Sequence, residues 1–279
     1  MFKCLFFLQT NVIMFCVGIC WFLHYALEYS KTFSIGVFAF MARFFVSRDY
    51  IKNDIAVISG DDVKHISSVL RMANGDGLTV CDGEGHDYDG VVVDISKTEV
   101  KAKLLNKKKC LAEPDIKIVL FQSLAKQGKM EYIIQKCTEL GVFGIVPVYS
   151  KRCVQKPADK LARWQKVAKE AAKQSGRGVI PIIGDVISFP KAVERAAKTQ
   201  LAIMPYEKEE NTSLRDVLED NTVSEVSLII GPEGGFEPEE AALARDNGIQ
   251  TVTLGKRILR TETAAAAVIP IIMYSQRQI

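Results

Sequence analysis

The stretch Val226-Ser227-Leu228-Ile229-Ile230-Gly231-Pro232-Glu233-Gly234-Gly235 decides how the second half of the chain is interpreted. A short apolar run, typical of a buried strand, passes directly into a loop with three glycines and one proline. The glycines allow unusual backbone dihedrals and close approach of a ligand, and the proline fixes one dihedral. Pro238 and two acidic residues then suit the first turn of a helix. The stretch therefore predicts a strand, a shaped loop and a helix.

The loop by itself leaves two interpretations open. It is either a tight turn between a strand and a helix or a loop that holds a ligand. It lacks the Gly-x-Gly-x-x-Gly spacing of dinucleotide-binding loops and the Lys-Ser/Thr pair of a phosphate-binding loop. Dinucleotide and triphosphate ligands are therefore disfavoured.

Strand-like and helix-like segments alternate from Ile116 to the C-terminus. The predicted strands are 116–124, 145–149, 201–204, 226–230 and 251–254, and the predicted helices are 129–140, 157–174, 191–198, 214–219 and 238–246. Such alternation is typical of an α/β fold with a mostly parallel sheet and helices on both faces. Ligands bind such sheets at the carboxyl ends of the strands.

A second loop of interest, Leu254 to Ala264, follows the last predicted strand. Thr261 or Thr263 is suited to cap the helix that comes next, and the alanines from Ala264 give that helix a slim first turn. Slim turns permit close approach of a ligand or of another helix. Taken alone, this segment is again either a ligand site or a packing helix with a solvated basic approach.

The region from Met41 to residue 106 contains short apolar runs separated by Asn-Gly-Asp-Gly and Asp-Gly-Glu-Gly turns. Many short strands with one short helix after Asp61 predict a small β-barrel. Residues 107–115 are polar and include Pro114, which is typical of a linker. We therefore expect two domains, 41–106 and 116–279.

Residues 1–40 form an apolar leader, and Phe2 to Leu27 is long enough to span a bilayer. A membrane anchor, a signal peptide and translation begun too far upstream all compete as explanations. No small-residue cleavage pattern follows the apolar run, and Met41 opens a typical start. We favour the upstream start, with a non-functional leader and no membrane attachment.

Composition narrows the function only a little. A net charge of +3 permits a nucleic-acid partner without requiring one. The seven cysteines show no Cys-x-x-Cys pair, and the three histidines are far apart, so no metal site is expected. Unpaired cysteine spacing fits a reducing compartment.

Several motifs together resemble one family. The two loops, separated by one helix and one strand, are similar to the two cofactor loops of the ribosomal small subunit methyltransferase E family, part of the SPOUT superfamily. The resemblance extends from Met41 to the C-terminus and includes three further segments: Leu70-Arg71-Met72, Lys129 to Gly141, and Glu170-Ala171-Ala172-Lys173-Gln174-Ser175-Gly176-Arg177. The leader has no counterpart in it.

The resemblance implies an RNA-binding PUA-like barrel followed by a SPOUT domain with a C-terminal trefoil knot. It implies a cytoplasmic homodimer that uses S-adenosyl-L-methionine to methylate N3 of one uridine in 16S rRNA of the small ribosomal subunit, without a metal. The implied cofactor-binding residues lie on three loops: Met204, Pro205, Gly231, Pro232, Glu233, Gly234, Leu254, Gly255, Ile258, Leu259, Thr263 and Ala264.

The chemistry points to a second group of residues. Uracil N3 carries a proton at neutral pH, so an arginine beside the carbonyl oxygens would stabilise the anion that forms as the proton leaves. Arg260 is expected in that role. Glu139, Glu233 and Glu262 are unranked candidates for the general base.

Basic side chains would supply the phosphate contacts. For each of them taken singly, the simpler explanation is a charged residue on a solvated face of the protein. The candidates are Arg43, Arg71, Lys126, Lys129 and Arg177, with Lys64 and the lysine-rich stretch from Lys97 to Lys109 as further possibilities.

Two rivals remain. A SPOUT ribose 2′-O-methyltransferase also carries a Gly-Pro-Glu-Gly loop, but its last motif usually differs from Arg260-Thr261-Glu262-Thr263-Ala264. A non-catalytic RNA-binding protein of ribosome assembly could keep the fold without binding the cofactor.

Overall fold

A computed structural model describes residues 42–126, 128–154, 160–219 and 222–279. The predicted apolar leader lies outside these ranges. None of the helices within them has the length and apolar character needed to cross a membrane.

Six strands form a first sheet: β1 (Arg43–Phe45), β2 (Ile51–Lys52), β3 (Ile55–Ser59), β4 (Gly77–Cys81), β5 (His86–Ile95) and β6 (Glu99–Lys109). Their order is β1-β4-β5-β6-β3-β2. Only the β1–β4 pair is parallel among the paired strands of this sheet. Two irregularities in the β5–β6 register bend the longest pair of strands.

Alternate residues of these strands point inward and are buried, as the period of two requires. Phe44, Ile58, Leu78 and Val100 are among the fully or almost fully buried side chains. Helix α1 (Asp61–Lys64) continues into a π-helical turn and covers this core with the buried side chains of Val63 and Ile66. The first sheet thus occupies the region predicted to form the small barrel.

Seven strands form a second sheet: β7 (Lys117–Ser123), β8 (Gly144–Tyr149), β9 (Ile182–Ile183), β10 (Ile187–Ser188), β11 (Leu201–Pro205), β12 (Glu225–Ile230) and β13 (Gln250–Val252). Its order is β10-β8-β7-β12-β11-β13, with β9 paired to β8, and every pair is parallel. The predicted mostly parallel sheet is therefore confirmed.

Six helices accompany this sheet: α2 (Lys129–Glu139), α3 (Leu161–Gln174), α4 (Phe189–Ala196), α5 (Leu214–Glu219), α6 (Pro238–Asp246) and α7 (Thr261–Ser275). Odd and even strand residues pack into different clusters. Leu228 and Ile230 of β12 join the core that contains α2, α3, α5 and α7, whereas Ile229 joins the core that contains α4 and α6. Both faces are covered, which is why these strands are apolar throughout.

The structure differs from the sequence predictions at several element ends, and three of these differences concern the linker and the site. The predicted barrel region ends at residue 106, but β6 continues to Lys109, paired with β5, so the first residues of the predicted linker 107–115 belong to the sheet. The lysines at the end of β6 are typical of a linker because this part of the strand is exposed to solvent. Lys108, for example, forms an ion pair with Asp89 at the surface. The last strand ends at Val252, two residues before the predicted end.

The third difference concerns the start of α7. Neither predicted threonine caps this helix: Arg260 is the N-cap residue, without a side-chain capping bond, and Thr261 is already helical. The Thr261 hydroxyl makes a tertiary contact instead, described below.

Candidate functional site

A cavity of about 1000 Å³ lies at the carboxyl ends of β11, β12 and β13. The segments that follow these three strands form most of its wall, as expected for a parallel sheet. Its lining includes residues 205–207, 230–236 and 253–261, together with Glu209, Glu210, Lys129 and Ala264. The two loops that the sequence singled out therefore meet in one cavity.

The glycine-rich loop after β12 has a defined shape. A Cβ added to Gly231 would lie 3.0 Å from the ring of Phe236, which is itself buried. The left-handed backbone conformation lies at Gly235, with φ of 69°, and not at Gly234. Arg152 stabilises the loop by a hydrogen bond, since its Nη1 donates to the carbonyl oxygen of Gly234 at 2.8 Å.

The helix after this loop starts where the sequence indicated. Pro238 is its first residue and Glu237 its N-cap. The Glu240 carboxylate reaches back and accepts the Glu237 N–H at 3.0 Å. This contact satisfies a backbone donor that the helix itself leaves unpaired. The loop is thus anchored at both ends, by β12 and by a capped helix.

A hydroxyl joins the two loops. Thr261 Oγ1 donates to the carbonyl oxygen of Gly231 at 2.6 Å and accepts the Gln122 side-chain N–H at 2.9 Å. Gln122 is fully buried, and its Oε1 has no hydrogen-bond partner in the described structure. These two hydrogen bonds fix the start of α7 against the ends of β12 and β7 beside the cavity.

Lys129 makes a second link between the two loops. Its ammonium lies 3.1 Å from Glu262 Oε2 and 3.5 Å from Glu233 Oε1. Glu233 Oε1 also accepts the backbone N–H of Lys126 at 3.0 Å. Burial raises the pKa of Glu233, but the backbone hydrogen bonds and the Lys129 charge outweigh it and leave this pKa below its usual value. Glu233 is therefore ionised at neutral pH.

The outer rim of the cavity is basic and partly apolar. Lys256, Arg257 and Arg260 are exposed and line it. None of the three forms an ion pair with a residue in the described ranges. Between them Ile258 is 87% exposed, an unusual state for a large apolar side chain. The rim offers unpaired positive charge and an apolar surface to an incoming ligand.

Acidic residues that the sequence analysis missed line another part of the wall: Glu207, Glu209 and Glu210. The hydroxyl of Thr251 donates to Glu209 at 2.7 Å, and Arg245 donates to it at 3.0 Å. These contacts, the Thr251 bond foremost, lower the pKa of Glu209 to about 2. The position directly after the predicted strand 201–204 was the signal that could have identified this segment.

Most of the predicted cofactor residues line the cavity: Pro205, Gly231, Pro232, Glu233, Gly234, Leu254, Gly255, Ile258, Leu259 and Ala264. Met204 and Thr263 do not. Met204 is 0% exposed within the core, because β11 alternates and this side chain points into the sheet face. Thr263 is exposed on the outer side of α7. Glu262 does not line the cavity itself but contacts Lys129, which does.

The structure separates Glu139 from the other candidate acids. Glu139 ends α2, ten residues after Lys129, and helix rise places it about 15 Å away along the axis. Its carboxylate pairs with Lys136 at 3.0 Å and borders a different depression, between α2 and α3. Glu139 therefore does not line the cavity of the described chain, and its catalytic role stays a prediction that the geometry does not support.

Two predicted RNA contacts already have carboxylate partners in the described chain, and their role in RNA binding stays a prediction that this pairing does not support. Arg177 is 2% exposed and forms a bidentate pair with Glu113, while Arg43 forms a bidentate pair with Asp87. Lys129 is held between two carboxylates and does not present a free charge. Arg71 and Lys126 are exposed, and no ion pair joins either to another residue of the described chain.

No group of three or more His, Cys, Asp or Glu side chains suited to a metal ion occurs among the described residues.

Known families match both parts of the chain. Residues 112–273 match the RNA methyltransferase domain model, and residues 58–105 match the RNA methyltransferase PUA domain model. The ribosomal RNA small subunit methyltransferase E of Bacillus subtilis is 36% identical over 228 residues, which cover 78% of this chain and 89% of that protein. The Synechocystis protein of the same name is 33% identical, over 81% of this chain and 75% of its own length.

Solved structures agree. A ribosomal RNA small subunit methyltransferase E from Neisseria gonorrhoeae bound to S-adenosyl methionine is 32% identical, with a TM-score of 0.73 and coverage of 84% of this chain and 97% of its own. A Legionella pneumophila methyltransferase in complex with the same cofactor is 30% identical, with a TM-score of 0.76 and coverage of 84% and 98%. On this evidence, the chain belongs to the ribosomal RNA small subunit methyltransferase E family.

Proposed function

We propose that this protein transfers the methyl group of S-adenosylmethionine to N3 of a uridine in 16S rRNA of the small ribosomal subunit. One observation carries the proposal: both family loops meet in a single cavity, with the guanidinium of Arg260 at its rim and no ion pair between it and any described residue. The relatives named above supply the substrate class and the cofactor.

The residues of the cavity fit such a cofactor. Its volume of about 1000 Å³ is at the upper end of small-molecule sites. Ile258, Leu259 and Leu254 offer apolar walls for a purine ring. The glycine-rich loop brings backbone groups to the surface without intervening side chains. When bound, the cofactor supplies an electrophilic methyl group on a sulfonium centre.

Arg260 would act on the uracil. Removal of the N3 proton builds negative charge on the two flanking carbonyl oxygens. A guanidinium offers paired donors in a fixed plane and stays charged at any working pH. Because no ion pair occupies Arg260 in the described structure, its donors are available to that developing charge.

The proton needs an acceptor, and Glu233 is the proposed one. Glu233 lines the cavity, whereas Glu262 lies behind Lys129. The lowered pKa of Glu233 keeps its carboxylate ionised at neutral pH but also makes it a weak base. The proposed proton transfer therefore depends on Arg260 stabilising the uracil anion and so making the N3 proton more acidic. Lys129 holds both carboxylates and so positions the loop on which Glu233 lies.

RNA would contact the exposed cations Arg71 and Lys126 in addition to the basic rim. The homodimer, the trefoil knot and the cytoplasmic location implied by the family resemblance are part of the same proposal. So is the assignment of the first sheet as the RNA-binding domain, which the PUA match supports.

Mass spectrometry of small-subunit rRNA tests the proposal. RNA from a strain that lacks the gene should lose one N3-methyluridine, and the purified protein with S-adenosylmethionine should restore it. Digestion to nucleosides distinguishes methylation of the base from methylation of the ribose. Restoration of a 2′-O-methyl nucleoside instead would support the ribose methyltransferase, and no transfer with intact RNA binding would support the non-catalytic protein.

A further inference from the structure

Charged side chains, mostly buried, join the two parts of the molecule far from the cavity. The PUA domain is taken as residues 43–109 and the catalytic domain as 112–279, since the RNA methyltransferase model begins at residue 112. Six residues form what we call the interdomain joint: Arg43, Asp62, Asp87, Glu113, Lys173 and Arg177. Three of them, Arg43, Lys173 and Arg177, are predicted RNA contacts or lie in the Glu170–Arg177 motif, and the other three are their ion-pair partners. The function proposed above gives none of the six a role.

Arg43, on the first strand of the PUA domain, reaches into the catalytic domain. Its Nη1 and Nη2 donate to the two carboxylate oxygens of Asp87 at 2.9 and 2.6 Å. Nη1 also donates to the carbonyl oxygen of Arg177 at 3.0 Å. One guanidinium thus binds a carboxylate of its own domain and a backbone group of the other.

Arg177 continues the network within the catalytic domain. It donates to both oxygens of Glu113, at 3.2 and 2.8 Å, and to the carbonyl oxygens of Thr138 and Val142. Glu113 also accepts two N–H groups of the segment after Arg177. All of these partner groups are buried or partly buried. Their hydrogen bonds with Arg177 and Glu113 therefore take the place of hydrogen bonds to water.

Lys173, near the end of α3, makes the second contact across the boundary. Its ammonium lies 2.6 Å from Asp62 and 4.6 Å from the ring centroid of Phe44, both in the PUA domain. The side chains of Lys173 and Asp62 are only 14% and 13% exposed. The backbones also approach closely, since a Cβ added to Gly178 would lie 3.3 Å from the Cα of Gly85 in the PUA domain.

Apolar contact alone allows one domain to slide over another, and relative motion is the usual expectation for two domains in one chain. The nearly buried Lys173–Asp62 pair and the hydrogen bond from Arg43 to the carbonyl oxygen of Arg177 fix distance and orientation across the boundary. The bidentate pairs hold the guanidinium groups of Arg43 and Arg177 in place on either side of it. We propose that the interdomain joint holds the PUA domain in one orientation relative to the cofactor cavity, so that RNA bound by the first domain presents its uridine to the second. Arg43, Lys173 and Arg177 are then positioning residues and not phosphate ligands. This inference rests on the proposed function.

The test compares two lysines of the same helix. Lys173→Met removes the nearly buried contact and keeps the length of the side chain. Lys166→Met is the matched control: Lys166 pairs with Asp61 at 3.5 Å, but the two side chains are 69% and 97% exposed, so this pair contributes little. Asp62→Asn and the double variant Asp62→Asn/Lys173→Met complete a cycle.

Steady-state kinetics well below the melting temperature give the first result. Lys173→Met should lower kcat/KM for the RNA by about 10- to 100-fold, the cost of a misplaced substrate, with most of the change in kcat. Its dissociation constant for S-adenosylmethionine should stay within about twofold, and the double variant should be no worse than either single one. Equal RNA kinetics for Lys173→Met and Lys166→Met would overturn the joint, even if Lys173→Met melts earlier.

A distance measurement between the two domains tests the interdomain joint independently of methyl transfer. Nitroxides attached through p-acetylphenylalanine at the exposed positions Thr98 and Ala197 report on the two domains in the full chain. Pulsed electron resonance should give a narrow distance distribution in the wild type and in Lys166→Met, and a broad one in Lys173→Met. An unchanged width would refute the joint. If the wild type shows a narrow distribution but transfers no methyl group, the proposed function fails and the joint stands.

Discussion

Replacement of Arg260 by alanine is the sharpest test of the chemistry. The side chain is exposed, lines the cavity and has no ion-pair partner in the described structure. Its loss should therefore change the free energy of unfolding by no more than about 0.5 kcal/mol, as for an ordinary surface substitution. If it stabilises the uracil anion, loss of a preorganised donor costs about 2.7 to 4 kcal/mol, roughly a hundred- to a thousand-fold in rate.

Single-turnover methyl transfer at saturating RNA and cofactor measures this loss directly. Arg257→Ala is the matched control, because Arg257 is exposed on the same rim and is likewise without an ion pair among the described residues. A contact to phosphate would appear as weaker and more salt-dependent RNA binding with a near-normal single-turnover rate. An Arg260→Ala rate within about threefold of the wild type would reject the catalytic assignment.

Three further predictions follow from packing, burial and charge. Gly231→Ala should lower stability by about 1–3 kcal/mol and weaken cofactor affinity measured by calorimetry, because the added methyl group overpacks against Phe236; unchanged affinity would contradict the ligand-loop assignment. Arg177→Met should cost about 3–5 kcal/mol, a fall of roughly 6–20 °C in Tm by scanning calorimetry, because it leaves a carboxylate unpaired; a stable variant with weakened, less salt-dependent RNA binding would restore the phosphate role. Glu209→Gln should lower the urea midpoint at pH 7. Since the folded pKa of Glu209 is depressed to about 2, the difference from wild type should hold above about pH 4.5 and shrink as the pH falls further; a difference that persists undiminished at pH 3 would refute this.

The sequence by itself determined the elements and the place of the site. Apolar runs, glycines and prolines act within a few residues, so their pattern predicted the strands and helices around the cavity, and α6 (Pro238–Asp246) agrees with its predicted bounds. Parallel order follows from the alternation of strands and helices, and parallel strands align their carboxyl ends. The two loops were therefore expected to meet.

Only the tertiary structure decided which charged side chains are free. Arg43 and Arg177 look like available cations in the sequence, but their carboxylate partners are 44 and 64 residues away along the chain. Glu139 and Glu233 look alike as acids, yet one ends a helix beside Lys136 and the other lines the cavity. Arg260, by contrast, keeps its charge unpaired within the described chain. Ion pairing depends on distance in space, which no local pattern encodes, whereas helices and strands arise from contacts between near neighbours.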